Sequence, residues 1–148
     1  MDLILWRHAE AEDGAPDSAR QLTKKGRKQA QAIATWLKAR MKKPFRLVVS
    51  PTVRTQQTAQ ALSDQYEVCA AVGVGTTAES ILQAIAWPAV QGTLVLVGHQ
   101  PTLGNLAALL LCGQEADWTV KKGAVWWFSA DDNSSLVFLR AVIAPQDT

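Results

Sequence analysis

Two rhythms alternate along the chain. Leu3-Ile4-Leu5-Trp6, Leu47-Val48-Val49 and Thr93-Leu94-Val95-Leu96-Val97 are continuous apolar runs of strand length, which read as buried strands. From about Thr23 to Met41 the period becomes helical, with Ala30, Ile33, Ala34, Leu37 and Met41 on one stripe. Thr23 suits the N-cap of that helix and Pro44 ends it. Ser50-Pro51 predicts a second helix, Ser50 as N-cap and proline at the first helical position, running to about Gln65. A weak strand at Glu67–Val72, a flexible Gly73-Val74-Gly75 and a helix over 77–86 stopped by Pro88 follow. Gly98-His99-Gln100-Pro101 leads from the third strong strand into a helix ending near Leu111. Ala124–Ser129 and Leu136–Ile143 predict two strands joined by a turn at Asp131-Asp132-Asn133-Ser134. This alternation predicts one three-layer α/β/α domain over residues 1–148, with a mainly parallel sheet and an antiparallel C-terminal hairpin at its edge.

Composition narrows the classes. The chain has 148 residues, 48% of them hydrophobic and 19% charged, as in an ordinary globular protein. Its longest strictly apolar run, Leu106 to Cys112, is too short to cross a bilayer, and Leu3–Trp6 is too short for a leader's apolar core. No membrane association is expected. Cys69 and Cys112 are the only cysteines and read as inert core residues, so neither a disulfide framework nor a structural zinc site is expected, and a cytoplasmic location is the default.

The net charge of +2 conceals an asymmetry. Between Ser18 and Ser63 there are eleven Lys and Arg residues and no carboxylate; the remainder carries four cations against thirteen carboxylates, so the two parts hold +11 and −9. The basic stretch reads either as a solvated helix face or as a positive surface that steers an acidic partner. Nucleic acid is not expected, because the stretch lacks interleaved aromatics and any recognised binding motif.

The chain has two histidines, and each lies just past a strong apolar strand: His8 after Leu3–Trp6 and Arg7, His99 after Thr93–Val97 and Gly98. Ligands of open α/β sheets bind outside the carboxyl ends of the strands, so both imidazoles belong to one rim unless the coincidence is accidental. Arg54, one turn into the helix after the second strand, falls at the same rim or is a plain surface charge. Arginine matches phosphate oxygens bidentately and keeps its charge, so Arg7, Arg54 and the two histidines suggest a pocket for phosphate or another oxyanion. No metal site is expected, since no His, carboxylate and Cys cluster has ligand spacing.

Four ordered segments then carry a resemblance. Leu5-Trp6-Arg7-His8-Ala9-Glu10-Ala11 resembles the N-terminal Arg-His-Gly motif of the histidine phosphatase superfamily. Leu22-Thr23-Lys24-Lys25-Gly26 with Gln29-Ala30 resembles its L-T-x-x-G-x-x-Q-A helix start. Ser50 to Ala59 resembles its S-P-x-x-R-x-x-Q-T-A block, and Val97-Gly98-His99-Gln100-Pro101 its second-histidine block. Together they span residues 5 to 101 and are most similar to the short SixA-like branch, the phosphohistidine phosphatases. The resemblance implies a metal-independent phosphatase without a cofactor. His8 would be the nucleophile that becomes phosphorylated, Arg7 and Arg54 would hold the phosphoryl oxygens, and His99 would complete the pocket. Arg20 is a further candidate for contacting substrate.

There are two departures. Ala9 stands in place of the family's glycine, and at a position of positive φ an alanine would cost about 1 kcal/mol. The second is the acid that protonates an alkoxide leaving group in larger members. Between Glu67 and the strand at 93–97 the sole carboxylate is Glu79, which reads as a candidate general acid or as a first-turn helix residue; Asp13 and Asp17 are alternatives. Imidazole leaves far more readily than an alkoxide, so a site without a committed acid suits a phosphohistidine-bearing protein. A small-molecule or polyphosphate phosphatase and a non-catalytic phospho-binding module are the other readings. Of the conspicuous aromatics, Trp126 and Trp127 are expected on opposite faces of a strand, and Trp36 half-buried on the first helix.

Overall fold

A computed structural model describes residues 1–131 and 136–148. Six strands form one sheet: β1 (Asp2–Arg7), β2 (Phe45–Val49), β3 (Glu67–Val68), β4 (Thr93–Gly98), β5 (Val125–Ala130) and β6 (Val137–Ile143), in the order β3-β2-β4-β1-β5-β6. β3, β2, β4 and β1 are parallel, whereas β5 is antiparallel to β1 and β6 to β5. The mainly parallel sheet with an antiparallel C-terminal edge is the architecture expected from the sequence. The turn expected at Asp131-Asp132-Asn133-Ser134 lies, from residue 132 on, outside the described residues.

Among the described residues four α-helices cover the sheet: α1 (Lys24–Lys38), α2 (Val53–Gln60), α3 (Ala78–Ala84) and α4 (Thr102–Cys112). Strand alternation divides the core in two. Ile4, Trp6, Val95 and Val97 pack with the α1 stripe of Ala30, Ile33, Ala34 and Leu37. Leu3, Leu5, Leu94 and Leu96 pack with Ile81 of α3 and Leu103 and Leu106 of α4. Trp127 joins the first cluster and Trp126 the rim of the second, so their rings do point to opposite faces. Trp36 is half-buried and sets its ring edge-on to Trp127, centroids 6.0 Å apart.

Local chemistry accounts for most element ends. Thr23 caps α1 by accepting from Gly26 N–H at 2.9 Å. Gly26 has a second constraint: a Cβ there would run into the Glu10 carbonyl oxygen, so glycine lets α1 lie directly against the loop that follows β1. Four expectations need correction. The cap of α2 is Thr52, not Ser50, and the helix stops at Gln60 rather than Gln65, because the Ala61 and Leu62 amides turn back onto Thr58 and Ala59. The strand after it is two residues long, followed by a 3-10 turn at Ala70–Val72. Cys112 is exposed at the end of α4 and Cys69 only partly buried, so neither is a core residue. No helix among the described residues is long and apolar enough to cross a membrane.

Candidate functional site

The parallel strands deliver their carboxyl ends to one place. Val97 of β4 lies level with Trp6 of β1 and Val49 of β2, so His8, Ser50 and His99 emerge side by side. The backbone joins them: His8 N–H donates to Gly98 C=O at 3.2 Å, and Ser50 N–H to Val97 C=O at 3.1 Å. The two imidazoles meet with centroids 5.4 Å apart and planes tilted by 57°. β4 inserts between β1 and β2, whereas the next strand, β5, adds on the far side of β1; the histidines thus sit where the strand order reverses.

Each ring is held by one nitrogen. His8 Nδ1 lies 2.7 Å from the Ala9 carbonyl oxygen. A carbonyl only accepts, so this contact places the proton on Nδ1 and leaves the lone pair on Nε2. His99 Nε2 is hydrogen-bonded to the fully buried Ser50 hydroxyl at 2.7 Å. Burial is the main force acting on both rings. It pushes His8 down to about 4; the Ala9 contact opposes this, and the charges of Arg54, Arg7 and Arg20 add to it. His99 is pushed down to about 3 by burial, then by His8, Arg54 and Arg7, with Asp17 opposing. Both imidazoles are therefore neutral at pH 7. An NMR titration of the two rings is expected to show no protonation between pH 8 and pH 5, with changes only as the pH falls toward 4. A midpoint near the ordinary histidine value of about 6.5 would contradict this electrostatic account.

The arginines are both anchored, and among the described residues the Nε–H of each has no partner. Arg7, at the end of β1, donates from Nη1 to Val120 C=O at 2.9 Å, and its burial lowers its pKa from the usual arginine value. Arg54, in the first turn of α2 and only 4% exposed, donates from Nη1 to Asp17 C=O at 2.8 Å and from Nη2 to the Asp17 carboxylate at 3.1 Å. The Nε–H groups of both are buried with no hydrogen-bond partner. Folded chains satisfy nearly all such groups, so two orphaned cationic donors, whose charges bear on both histidines, have the chemistry to receive an anion.

Arg20 belongs to the same network at one remove. It donates from Nε to Glu12 C=O at 2.7 Å and from Nη1 to the Asp17 carboxylate at 3.1 Å. Arg20 and Arg54 hold the Asp17 carboxyl below the usual carboxylate range. Of the other candidate carboxylates, Glu79 is exposed in the first turn of α3, behind the Thr77 cap, and Asp13 is exposed in the loop. Asp17 is the carboxylate whose charge acts on His99. Ala9 is fully buried, donating N–H to Thr58 Oγ1 at 3.1 Å, and its φ is not positive; Ala86 is the non-glycine residue with positive φ among those described. The backbone cost considered for alanine at this position does not arise. No group of three or more His, Cys, Asp or Glu side chains suited to a metal ion occurs among the described residues. Lys24, Lys25, Arg27 and Lys28 are exposed and make no ion pair within the described residues. They are tied to the site through Thr23, whose N–H donates to Glu10 C=O at 3.0 Å, two residues beyond His8.

The chain is similar to proteins of one family. The profile of the histidine phosphatase superfamily (branch 1) matches residues 3–93. The phosphohistidine phosphatase SixA of Escherichia coli is 32% identical over 127 residues, covering 77% of this chain and 76% of that protein. A SixA homolog of Haemophilus influenzae is 30% identical over 126 residues, covering 74% of this chain and 77% of the relative. Among solved structures, the protein histidine phosphatase SixA complexed with tungstate superimposes with a TM-score of 0.83 at 26% identity, over 99% of this chain and 98% of that one. The chain belongs to the histidine phosphatase superfamily and is a SixA-like phosphatase.

Proposed function

We propose that the protein hydrolyses phosphohistidine on a protein partner through a covalent phosphohistidine on His8. The observation that carries this reading is the pair of orphaned, buried Nε–H donors of Arg7 and Arg54 beside a neutral imidazole whose free lone pair is on Nε2. The donors bind two phosphoryl oxygens and stabilise the charge that spreads over them in the transition state. His8 Nε2 attacks phosphorus in line; the new P–N bond forms as the bond to the substrate's imidazole nitrogen breaks, and that nitrogen takes a proton from solvent. Water then attacks the phosphoenzyme, giving inorganic phosphate and restoring the His8 lone pair. His99, pinned by Ser50, closes the far side of the pocket.

The choice of substrate follows from proton supply. Asp17 is held ionised by two guanidinium groups, so it carries no proton to give at neutral pH. Glu79 is a solvent-exposed helix-start residue. An alkoxide leaving group needs a general acid, which is typically worth about 10²–10⁴-fold, whereas an imidazole does not. Turnover of a phosphohistidine peptide is therefore expected to exceed that of the matching phosphoserine peptide by at least about 10²-fold in kcat/KM. Glu79→Gln is expected to leave the phosphohistidine rate within twofold. Loss of ester turnover alone in that variant would instead assign the site to a small phosphate ester.

The partner is acidic around its histidine. Four unpaired cations in the first two turns of α1 oppose the positive end of the helix dipole, so they weaken the helix that carries them. Surface placement against a local rule is the signature of a contact made elsewhere. Reversing Lys24, Lys25 and Lys28 to Glu is expected to lower kcat/KM on a phosphohistidine protein about tenfold or more at low salt, with phosphoramidate hydrolysis within twofold. Equal losses on both substrates would remove the docking role.

A further inference from the structure

We infer that Asp17 is a positioning residue for the phosphoryl pocket: it turns Arg54 so that the Nε edge of the guanidinium is left to the anion. The inference rests on the proposed chemistry at His8. Asp17 lies in a loop 37 residues before Arg54, and its side chain is 56% exposed, yet it takes both terminal nitrogens of a guanidinium that is 5% exposed. Its carbonyl holds Nη1 and its carboxylate holds Nη2, so the end-on edge of Arg54 is fully used. The loop itself is braced for the purpose. Arg20 reaches the other Asp17 carboxylate oxygen at 3.1 Å while its Nε is fixed to Glu12 C=O, and Glu12 N–H donates to Gln21 C=O at 2.8 Å. Ala11 and Leu22 form an antiparallel β-bridge next to that pair, at the base of the loop. One carboxylate thus spans two arginines, one buried and one at the surface.

This arrangement has opposite consequences for binding and for rate. The Asp17 charge offsets part of the positive potential that Arg54 presents, which weakens attraction of any anion. The two contacts also fix the guanidinium plane, which places the Nε–H where charge develops during phosphoryl transfer. Asp17→Ala keeps a main-chain carbonyl for Nη1 but frees Nη2, so Arg54 becomes more cationic and less well aimed.

The test compares wild type, Asp17→Ala and Asp17→Asn for kcat on phosphoramidate and for affinity to inorganic phosphate by calorimetry, with thermal unfolding by circular dichroism as the folding control. Asp17→Ala is expected to lose about 10- to 100-fold in kcat while binding inorganic phosphate at least as tightly as wild type. Asp17→Asn, which retains an acceptor for Nη2 without the charge, is expected to recover part of the rate. A kcat within threefold of wild type in Asp17→Ala overturns the inference, as does phosphate affinity lost in step with kcat, which marks a merely structural role. Wild type that fails to turn over phosphoramidate refutes the chemistry proposed at His8. The phosphate affinities then still decide on Asp17: unchanged or weaker binding in both variants overturns its role, and tighter binding supports it.

Discussion

His8→Ala is expected to lower turnover of a phosphohistidine substrate by about 10⁴-fold or more and to abolish covalent labelling altogether. The size of the effect follows from what else the site offers. His99 is the only other imidazole in the chain, and its Nε2 is committed to Ser50 at 2.7 Å. Burial and the charges of Arg54 and Arg7 oppose protonation of it, so it is a poor base for activating water in place of His8. What remains in the variant is a cationic pocket that binds phosphate and orients it. Inorganic phosphate affinity is therefore expected to persist, which separates lost chemistry from lost folding. Steady-state rates with phosphoramidate, read beside phosphate binding, check this. Residual activity above about 1% of wild type would assign the nucleophile elsewhere.

Arg54→Lys is expected to cost about 10²- to 10³-fold, mostly in kcat. The substitution keeps the charge and loses the fork. Arg54 uses Nη1 and Nη2 on Asp17 and holds Nε in reserve, three donors fixed in one plane. A lysine ammonium is a single point of charge; placed on Asp17 it cannot also reach the phosphoryl group, and placed in the pocket it abandons Asp17. Long-range attraction of the anion survives, so KM is expected to change much less than kcat. Kinetics of the purified variant over a range of phosphoramidate concentrations read both. Equal loss through KM with kcat intact would mean that Arg54 only attracts substrate and does not act in the transition state.

The parts of this site that strands deliver were readable from the sequence; the parts that loops deliver were not. Leu3–Trp6 and Leu94–Val97 are apolar throughout because both faces of β1 and β4 are covered, and a strand of that kind ends abruptly at the rim where His8 and His99 appear. Thr23 likewise behaves as its type suggests, since a threonine before a helical stripe has the geometry to cap it. Ser50 misled because Ser-Pro before a helix is a capping pattern; its hydroxyl instead turns to His99, 49 residues away, and Thr52 takes over the cap. Asp17 was legible only as a spare carboxylate. Its role depends on the path of residues 9–22, which is set by a β-bridge and by a close approach of α1 at Gly26, neither of which has a periodic signature. The family profile ends at residue 93, so His99 enters the site through sheet register rather than through that match.

The most direct measurement of the central claim is the position of phosphate on the trapped enzyme. Wild type is incubated with phosphoramidate, quenched in alkali, and analysed by phosphorus–proton correlation NMR and by mass spectrometry of the His8 peptide. Because Nδ1 is tied to the Ala9 carbonyl at 2.7 Å, a phosphate on Nε2 of His8 is the predicted result. Phosphate released from substrate without any acid-labile label, or a label found on Nδ1 or on His99, would contradict the account.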